Sequence, residues 1–436
     1  MRTLILSAPQ SGSGKTIVSV GLVSALRRIG HSVSVAKSGP DYIDAAYLSA
    51  AAERPAVNLD CWAMRPSLLN FLVCDAAGGE DDFLICEGAM GLFDGGAGQA
   101  GSTASLAIAL GAPVVLIIDA SRQAQSVSAL ALGFLRHDPA LKFAGVILNR
   151  VGSARHESLL RASLSEHGID VLGVLPSDDN LLLQSRHLGL VQVGELDELP
   201  QLIQQIGTHV GSHIDLTRIC MAARPVSFSQ PVVSQVLHKF LPPPGQRVAV
   251  ARDMAFAFSY EHMLTGWRKQ GAEVSFFSPL DDAGPDLQAD AVFLPGGYPE
   301  IYAGRISANR RFLSGLRQAA GRGAVIYGEC GGYMVLGAGL IDGNGTRHEM
   351  ADLLPVETSF LVRQRTLGYR RAVASDAHPF APGATLRCHE FHYATLTSTE
   401  TGDLYRMSNI DDDSAVMVGS ISGRVAGSFL HVIDIE

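Results

Sequence analysis

Leu4-Ile5-Leu6-Ser7-Ala8-Pro9-Gln10-Ser11-Gly12-Ser13-Gly14-Lys15-Thr16 opens the chain with an apolar, β-rich run that gives way to a glycine-rich loop. A helical pattern from Ile17 to Ile29 follows and is ended by Gly30. Strand, glycine turn and helix in this order make a phosphate-binding loop, with backbone N–H groups at the helix start facing anionic oxygens. The strict pattern would place glycine at Pro9; proline still permits the turn, and Gly12 and Gly14 keep the close backbone approach. By this spacing Gly12, Ser13 and Gly14 cradle a nucleotide, Lys15 reaches its β/γ-phosphates, and Thr16 offers its hydroxyl to Mg²⁺.

Working outward, similar apolar runs recur at Val33–Ala36, Phe83–Cys86, Val114–Ile118 and Gly145–Leu148. Strands alternating with helices predict an α/β fold, a doubly wound parallel sheet whose ligands sit at the carboxyl ends of the strands. The residues just after those strands are therefore the candidates. In Asp81-Asp82-Phe83-Leu84-Ile85-Cys86-Glu87-Gly88 an apolar run ends in Glu87, placed to hold Mg²⁺ or order a water on it. In Gly39-Pro40-Asp41-Tyr42-Ile43-Asp44 the two aspartates either face the same phosphates, with Asp41 a further metal ligand, or cap the next helix. Asn149-Arg150-Val151-Gly152 follows the strand from which many nucleotide enzymes read the base. Guanine would call for an aspartate where Gly152 stands, so Asn149 is expected to face the adenine of ATP.

The chain has 436 residues, enough for two or three domains with their own cores. Lys+Arg 34 against Asp+Glu 43 gives a net charge of −9, which argues against a nucleic-acid partner. The most apolar stretch, Ala104 to Ile118, is broken by Gly111 and Pro113 and is too short for a membrane span. No signal-peptide pattern precedes the first strand. Six scattered cysteines contain no Cys-x-x-Cys pair, so neither a zinc site nor a disulfide framework is expected. The expectation is a cytoplasmic, reduced enzyme, with monomer and homodimer both open.

Domain boundaries are read as 1–205 for the nucleotide-binding domain, 206–245 for a linker region and 246–436 for a second α/β domain. The linker reading rests on the Pro-, Ser- and Gln-rich stretch Ala222 to Pro244. The second pattern restarts at Arg247–Ala251, with strands near Val274–Phe277, Ala291–Leu294 and Ala324–Tyr327. Directly after the last of these comes Gly328-Glu329-Cys330-Gly331-Gly332, a strand turning through glycines into a helix, which presents a nucleophile at its tip. A cysteine needs a nearby base to act at neutral pH. His431 closes a terminal strand-like run and is the preferred base, with His389 and His392 as competitors. The His-x-x-His pair alone lacks a third ligand for a metal. Leu294-Pro295-Gly296-Gly297-Tyr298-Pro299-Glu300 is a glycine turn suited to offering a backbone N–H, at Gly297, to an oxyanion. The other five cysteines read as buried and structural.

Taken jointly, Ser11–Thr16, Gly39–Asp44, Leu294–Glu300, Gly328–Met334 and His389–Tyr393 resemble the cobyrinic acid a,c-diamide synthases over nearly the whole chain. Ala249–Phe256 and the ending His431–Asp434 are most similar to the branch acting on the cobalt-free macrocycle, hydrogenobyrinic acid, the alternative being the same chemistry on cobyrinic acid or another modified tetrapyrrole such as a nickel one. The resemblance implies an N-terminal domain similar to dethiobiotin synthetase and a C-terminal class I glutamine amidotransferase domain. It also implies two linked reactions. Cys330 and His431 would hydrolyse L-glutamine, and ammonia would pass internally to the N-terminal domain. There MgATP would phosphorylate the a- and c-acetate carboxylates in turn, with Asp41, Tyr42, Glu87 and Asp94, and Asp44 alongside, lining the place where carboxylate and ATP meet. Two departures stand out. Relatives often carry proline and histidine where this chain reads Ala45–Leu48. Many such glutaminases also carry an acidic residue two places after the base, a position held here by Ile433, with Asp434 one further on.

Overall fold

The structure, a computed structural model, describes residues 1–76, 82–178, 181, 183, 185, 186, 189–226, 240–398, 400–412 and 414–436. Asp81 and most of the Ala222–Pro244 stretch lie outside the described residues. The chain divides into two compact units, residues 1–62 with 66–236, and residues 63–65 with 237–436. Among the described residues no helix is long and apolar enough to cross a membrane.

The first unit is built on seven parallel strands: β1 (Arg2–Ser7), β2 (Val33–Ser38), β3 (Val57–Leu59), β4 (Phe83–Glu87), β5 (Val114–Asp119), β6 (Phe143–Val151) and β7 (Val171–Pro176). They lie in the order β3-β2-β4-β1-β5-β6-β7, and Arg224–Pro225 adds an antiparallel partner to β1. Leu4, Ile5 and Leu6 of β1, like Ile85 of β4 and Ile117 of β5, are fully buried, as strands covered on both faces must be. Each such side chain contributes about 1.5–3 kcal/mol of burial free energy. The strand order changes direction around β1, so the loop after β1 sits at the switch point where α/β sheets bind ligands.

The helix Leu199–His213 runs through the boundary expected at 205, and Leu216–Ala222 is helical too. The reason is a close helix contact. A Cβ on Gly207 would lie 2.3 Å from Ser24 Oγ, and one on Gly21 would lie 2.3 Å from Val210 Cγ2. Leu199–His213 therefore packs directly on α1 (Lys15–Arg28), and residues 206–226 belong to the first unit rather than to a linker. The cysteine reading also needs one correction. Cys86 and Cys388 are buried and Cys61 and Cys220 half-buried, but Cys74, in the last turn of the helix Pro66–Asp75, is exposed.

The second unit has a central sheet in the order Glu273–Phe277, Arg247–Ala251, Ala291–Leu294, Val325–Glu329, Val425–Ser428 and Ser420–Ser422. Its first five strands are parallel and the last is antiparallel. A five-stranded antiparallel sheet, which the sequence reading did not anticipate, runs Ala415–Val418, Tyr405–Asn409, Thr366–Ala374, Thr385–His392 and Leu430–Ile435. It carries all three competing histidines, two on Thr385–His392 and one on Leu430–Ile435.

Candidate active sites

In the first unit, Gly12 and Gly14 adopt φ of 81° and 89°, a conformation that only glycine takes without strain, and Gly14 caps α1. The Asn149 amide explains why Gly14 must lack a side chain: a Cβ there would lie 2.2 Å from Asn149 Nδ2. That Nδ2 donates to Ser13 O at 2.9 Å, so Asn149 braces the phosphate loop. Arg150, with φ of 59°, donates to Gly12 O at 2.9 Å and pairs with Asp119. Lys15 lies over the loop and donates to Met90 O and, at 3.4 Å, to Gln10 O. Its pKa is held down to about 8, first by burial and then by the Lys37 ammonium nearby.

Lys37, which sequence reasoning missed, organises the acidic side of the site. It stands near the end of β2, 1% exposed, and donates to Asp44 Oδ2 at 2.6 Å, Glu87 Oε1 at 2.9 Å and Gly88 O at 3.3 Å. Burial opposes its charge, but the Asp44 and Glu87 carboxylates outweigh burial and raise its pKa. Burial also works against ionising Asp44, and there the Lys37 ammonium wins and holds the carboxyl below its usual range. Thr16 Oγ1 donates to Glu87 Oε1 at 2.9 Å. The signal that could have found Lys37 is a lone charged residue in the otherwise uncharged strand Val33–Ser38.

Asp41 is the N-cap of the helix α2 (Tyr42–Ala52), accepting from Ile43 N at 2.9 Å and Asp44 N at 3.0 Å. The capping alternative is thus realised. Burial, then the Asp44 carboxylate, pushes its pKa up to about 7. Tyr42 begins α2. Asp94 is exposed and accepts from Gly91 N at 2.9 Å; a Cβ on Gly91 would lie 2.5 Å from Asp94 Oδ2 and 2.6 Å from Pro9 O. The Gly88–Asp94 segment therefore lies against the start of the phosphate loop. Lys15, Thr16, Lys37, Asp44 and Glu87 form one constellation, with Asp41 and Asp94 at its margins.

In the second unit, Cys330 sits at φ 49°, ψ −104°, between the strand Val325–Glu329 and the helix Gly331–Leu336. A non-glycine residue in this region is strained, and such strain gathers at nucleophile turns. Cys330 is 4% exposed, and its Sγ donates to Phe391 O at 3.6 Å. Burial, then the Glu300 carboxylate, pushes its thiol well above the ordinary range, so a base is needed. A Cβ on Gly296 would lie 2.4 Å from His431 Cε1, 3.3 Å from His431 Nε2 and 3.4 Å from Cys330 Cβ. Glycine at 296 is what lets imidazole and thiol converge. Burial, then the charges of His389 and His392, pushes the His431 pKa down to about 3, leaving a neutral imidazole able to accept a proton.

The competing histidines go elsewhere. His392 bonds Ala394 O and Glu390, at 2.9 and 3.1 Å, and stacks on Phe429. His389 lies opposite His431 in the sheet register, its ring against Tyr369. Three apart on one strand, His389 and His392 point to opposite faces, which is why the His-x-x-His pair does not converge on a metal. Asp434 is taken by Arg65 through Nε and Nη2 at 2.9 and 2.8 Å. Gly297 is pressed into the turn, where a Cβ would lie 2.1 Å from Ala255 O. Its backbone N would lie 3.1 Å from a Cβ on Gly331, so it adjoins the residue after the nucleophile, where an oxyanion would form.

Residues 4–191 match the CobQ/CobB/MinD/ParA nucleotide binding domain family, and residues 247–434 match the CobB/CobQ-like glutamine amidotransferase domain family. Along its full length the chain is 50% identical to the hydrogenobyrinate a,c-diamide synthase of a Sinorhizobium species and 50% identical to that of Rhizobium meliloti. It is 47% identical to that of Brucella anthropi. Each of these alignments covers 100% of this chain and 99% of the relative.

Proposed function

Because the chain belongs to the hydrogenobyrinate a,c-diamide synthase family, we propose that it amidates the a- and c-acetate carboxylates of hydrogenobyrinic acid through acyl phosphates. It is a glutamine-hydrolysing, ATP-dependent ligase of cobalamin biosynthesis with a tetrapyrrole substrate. The observation that carries the reading is the pairing, in one chain, of a strained Cys330 converging with His431 at Gly296 and of a phosphate loop backed by Thr16, Lys37 and Glu87.

In the glutaminase half-reaction, the Cys330 thiol gives its proton to His431 Nε2 while Sγ bonds to the carboxamide carbon. The Gly297 N–H stabilises the oxyanion. Collapse breaks the C–N bond, and His431 returns the proton to the leaving nitrogen, releasing ammonia. Water, deprotonated by the same imidazole, then cleaves the thioester to glutamate and free thiol.

In the amidation half-reaction, a substrate carboxylate attacks the γ-phosphorus of ATP and the bond to ADP breaks. A bare carboxylate has an oxide for a leaving group; the mixed anhydride supplies phosphate instead, which ammonia displaces. Lys15 and Lys37 offset the charge of phosphoryl transfer, and Asn149, which braces the loop, is the residue we assign to the adenine of ATP. Glu87 Oε2 is buried with no hydrogen-bond partner. With the Thr16 hydroxyl it makes a hard oxygen donor set that fits Mg²⁺, and Asp41 stands near the same charges. Mg²⁺ bound there would neutralise developing phosphate charge. We assign Tyr42, Asp44 and Asp94 to the substrate's acetate side chain.

The test is mass spectrometry of hydrogenobyrinic acid, and separately cobyrinic acid, after incubation with the protein, MgATP and glutamine. Two carboxyl-to-amide conversions of the metal-free ring are expected. Conversion of the cobalt form alone would reassign the substrate, and conversion of neither would remove it.

A further inference from the structure

The acidic residue expected two places after the base is absent, since Ile433 stands there, and Asp434 is committed to Arg65. A buried carboxylate nevertheless faces the base from another strand. Glu329, the last residue of Val325–Glu329, is 1% exposed and directly precedes the nucleophile. Because neighbours on an extended strand point to opposite sides, Glu329 lies beneath the turn that lifts Cys330. Its Oε1 accepts from Val432 N at 3.0 Å, which fixes the carboxyl group against the strand carrying His431. Its Oε2 is 3.9 Å from His431 Nδ1, with both side chains only 2% exposed.

The polarity of the arrangement is that of an acid–base–nucleophile relay. His431 presents its Cε1–Nε2 edge to Gly296, which also adjoins Cys330, and its Nδ1 to Glu329. A neutral imidazole can accept the thiol proton on Nε2 only if its own proton is on Nδ1, and a carboxylate at Nδ1 selects that tautomer. The 3.9 Å separation is longer than a hydrogen bond, but such contacts in unliganded enzymes commonly tighten when substrate binds.

We infer that Glu329 is the positioning residue of the glutaminase site, holding His431 through Nδ1 and stabilising the imidazolium that forms when Cys330 gives up its proton. The inference rests on reading Cys330 and His431 as the glutaminase. The carboxylate receives no proton in the reaction; it orients and compensates charge. Burial pushes its pKa up to about 8, so the ionised form this role requires prevails above that pH, and below it is favoured by the imidazolium charge beside it.

The experiment is steady-state glutamine hydrolysis by the full chain and by Glu329→Gln and Glu329→Asp. Glutamine at 329 keeps an oxygen for Val432 N–H but presents no charge to His431. The expected result is a loss in kcat of at least ~100-fold for Glu329→Gln with KM within about threefold, and partial recovery in Glu329→Asp. A Glu329→Gln variant at full kcat overturns the role of Glu329 and leaves the glutaminase standing; a wild-type chain that does not hydrolyse glutamine overturns the glutaminase itself. If Glu329→Gln does not fold, the wild type decides by nitrogen NMR of histidine-labelled protein, with His431 assigned through His431→Asn. A neutral His431 protonated on Nδ1 supports the assignment, and one protonated on Nε2 overturns it.

Discussion

His431 and Gly296 are in contact so close that a single methyl group at 296 would overlap the imidazole, its Cβ only 2.4 Å from Cε1. The same Cβ would lie 3.4 Å from Cys330 Cβ. The glycine turn after Ala291–Leu294 therefore does more than offer N–H groups: it leaves the space in which base and nucleophile meet.

Gly296→Ala should displace the imidazole and reduce glutamine hydrolysis about 100-fold, the cost typical of an ångström of misplacement in a catalytic pair. Steady-state kinetics with glutamine checks this. Hydrolysis at the wild-type rate would mean that His431 is not the base.

Lys37→Met should be costly twice over. It leaves the carboxylates of Asp44 and Glu87 buried without their shared cation, a loss of about 3 kcal/mol in urea denaturation of the first unit. It should also abolish amidation with either nitrogen source, because the methionine cannot offset charge beside the phosphate loop. A stable, active Lys37→Met variant would reduce Lys37 to a spectator.

The depressed pKa of Lys15 sets a pH dependence for nucleotide binding. Its ammonium is present below about pH 8 and lost as pH rises through that value, so the charge facing the phosphates fades on the alkaline side. With only the charged form competent, ATP should bind about tenfold more weakly at pH 9 than at pH 7. Isothermal titration at the two values checks this; equal affinities would place the phosphates away from Lys15.

Much of this was legible in the sequence because the decisive features are local. Ser11–Thr16 and Gly328–Gly332 each need positive-φ or side-chain-free positions at fixed offsets from a strand end, and the glycines mark them. Thr16 and Glu87, each singled out in the sequence by its place after a strand, meet in a hydrogen bond. Lys37 and Glu329 were not legible for one shared reason. Each lies on a buried strand and acts on groups far away in sequence, so its partners are fixed by sheet order, which no local pattern encodes. That residues 206–222 pack with the first unit was not legible, because no local pattern showed that Gly21 and Gly207 let two helices close on each other. Asp41 was read as either ligand or cap, and only the hydrogen bonds from Ile43 and Asp44 decide for the cap.

The most direct test of two separate reactions in one chain is amidation by Cys330→Ala, supplied in parallel with glutamine and with an ammonium salt, products being counted by mass. Glutamine-driven amidation should vanish while ammonia-driven amidation persists at the wild-type rate. Equal loss of both, in a variant that remains folded, would contradict the division of labour between Cys330 with His431 and the Lys15–Lys37–Glu87 site.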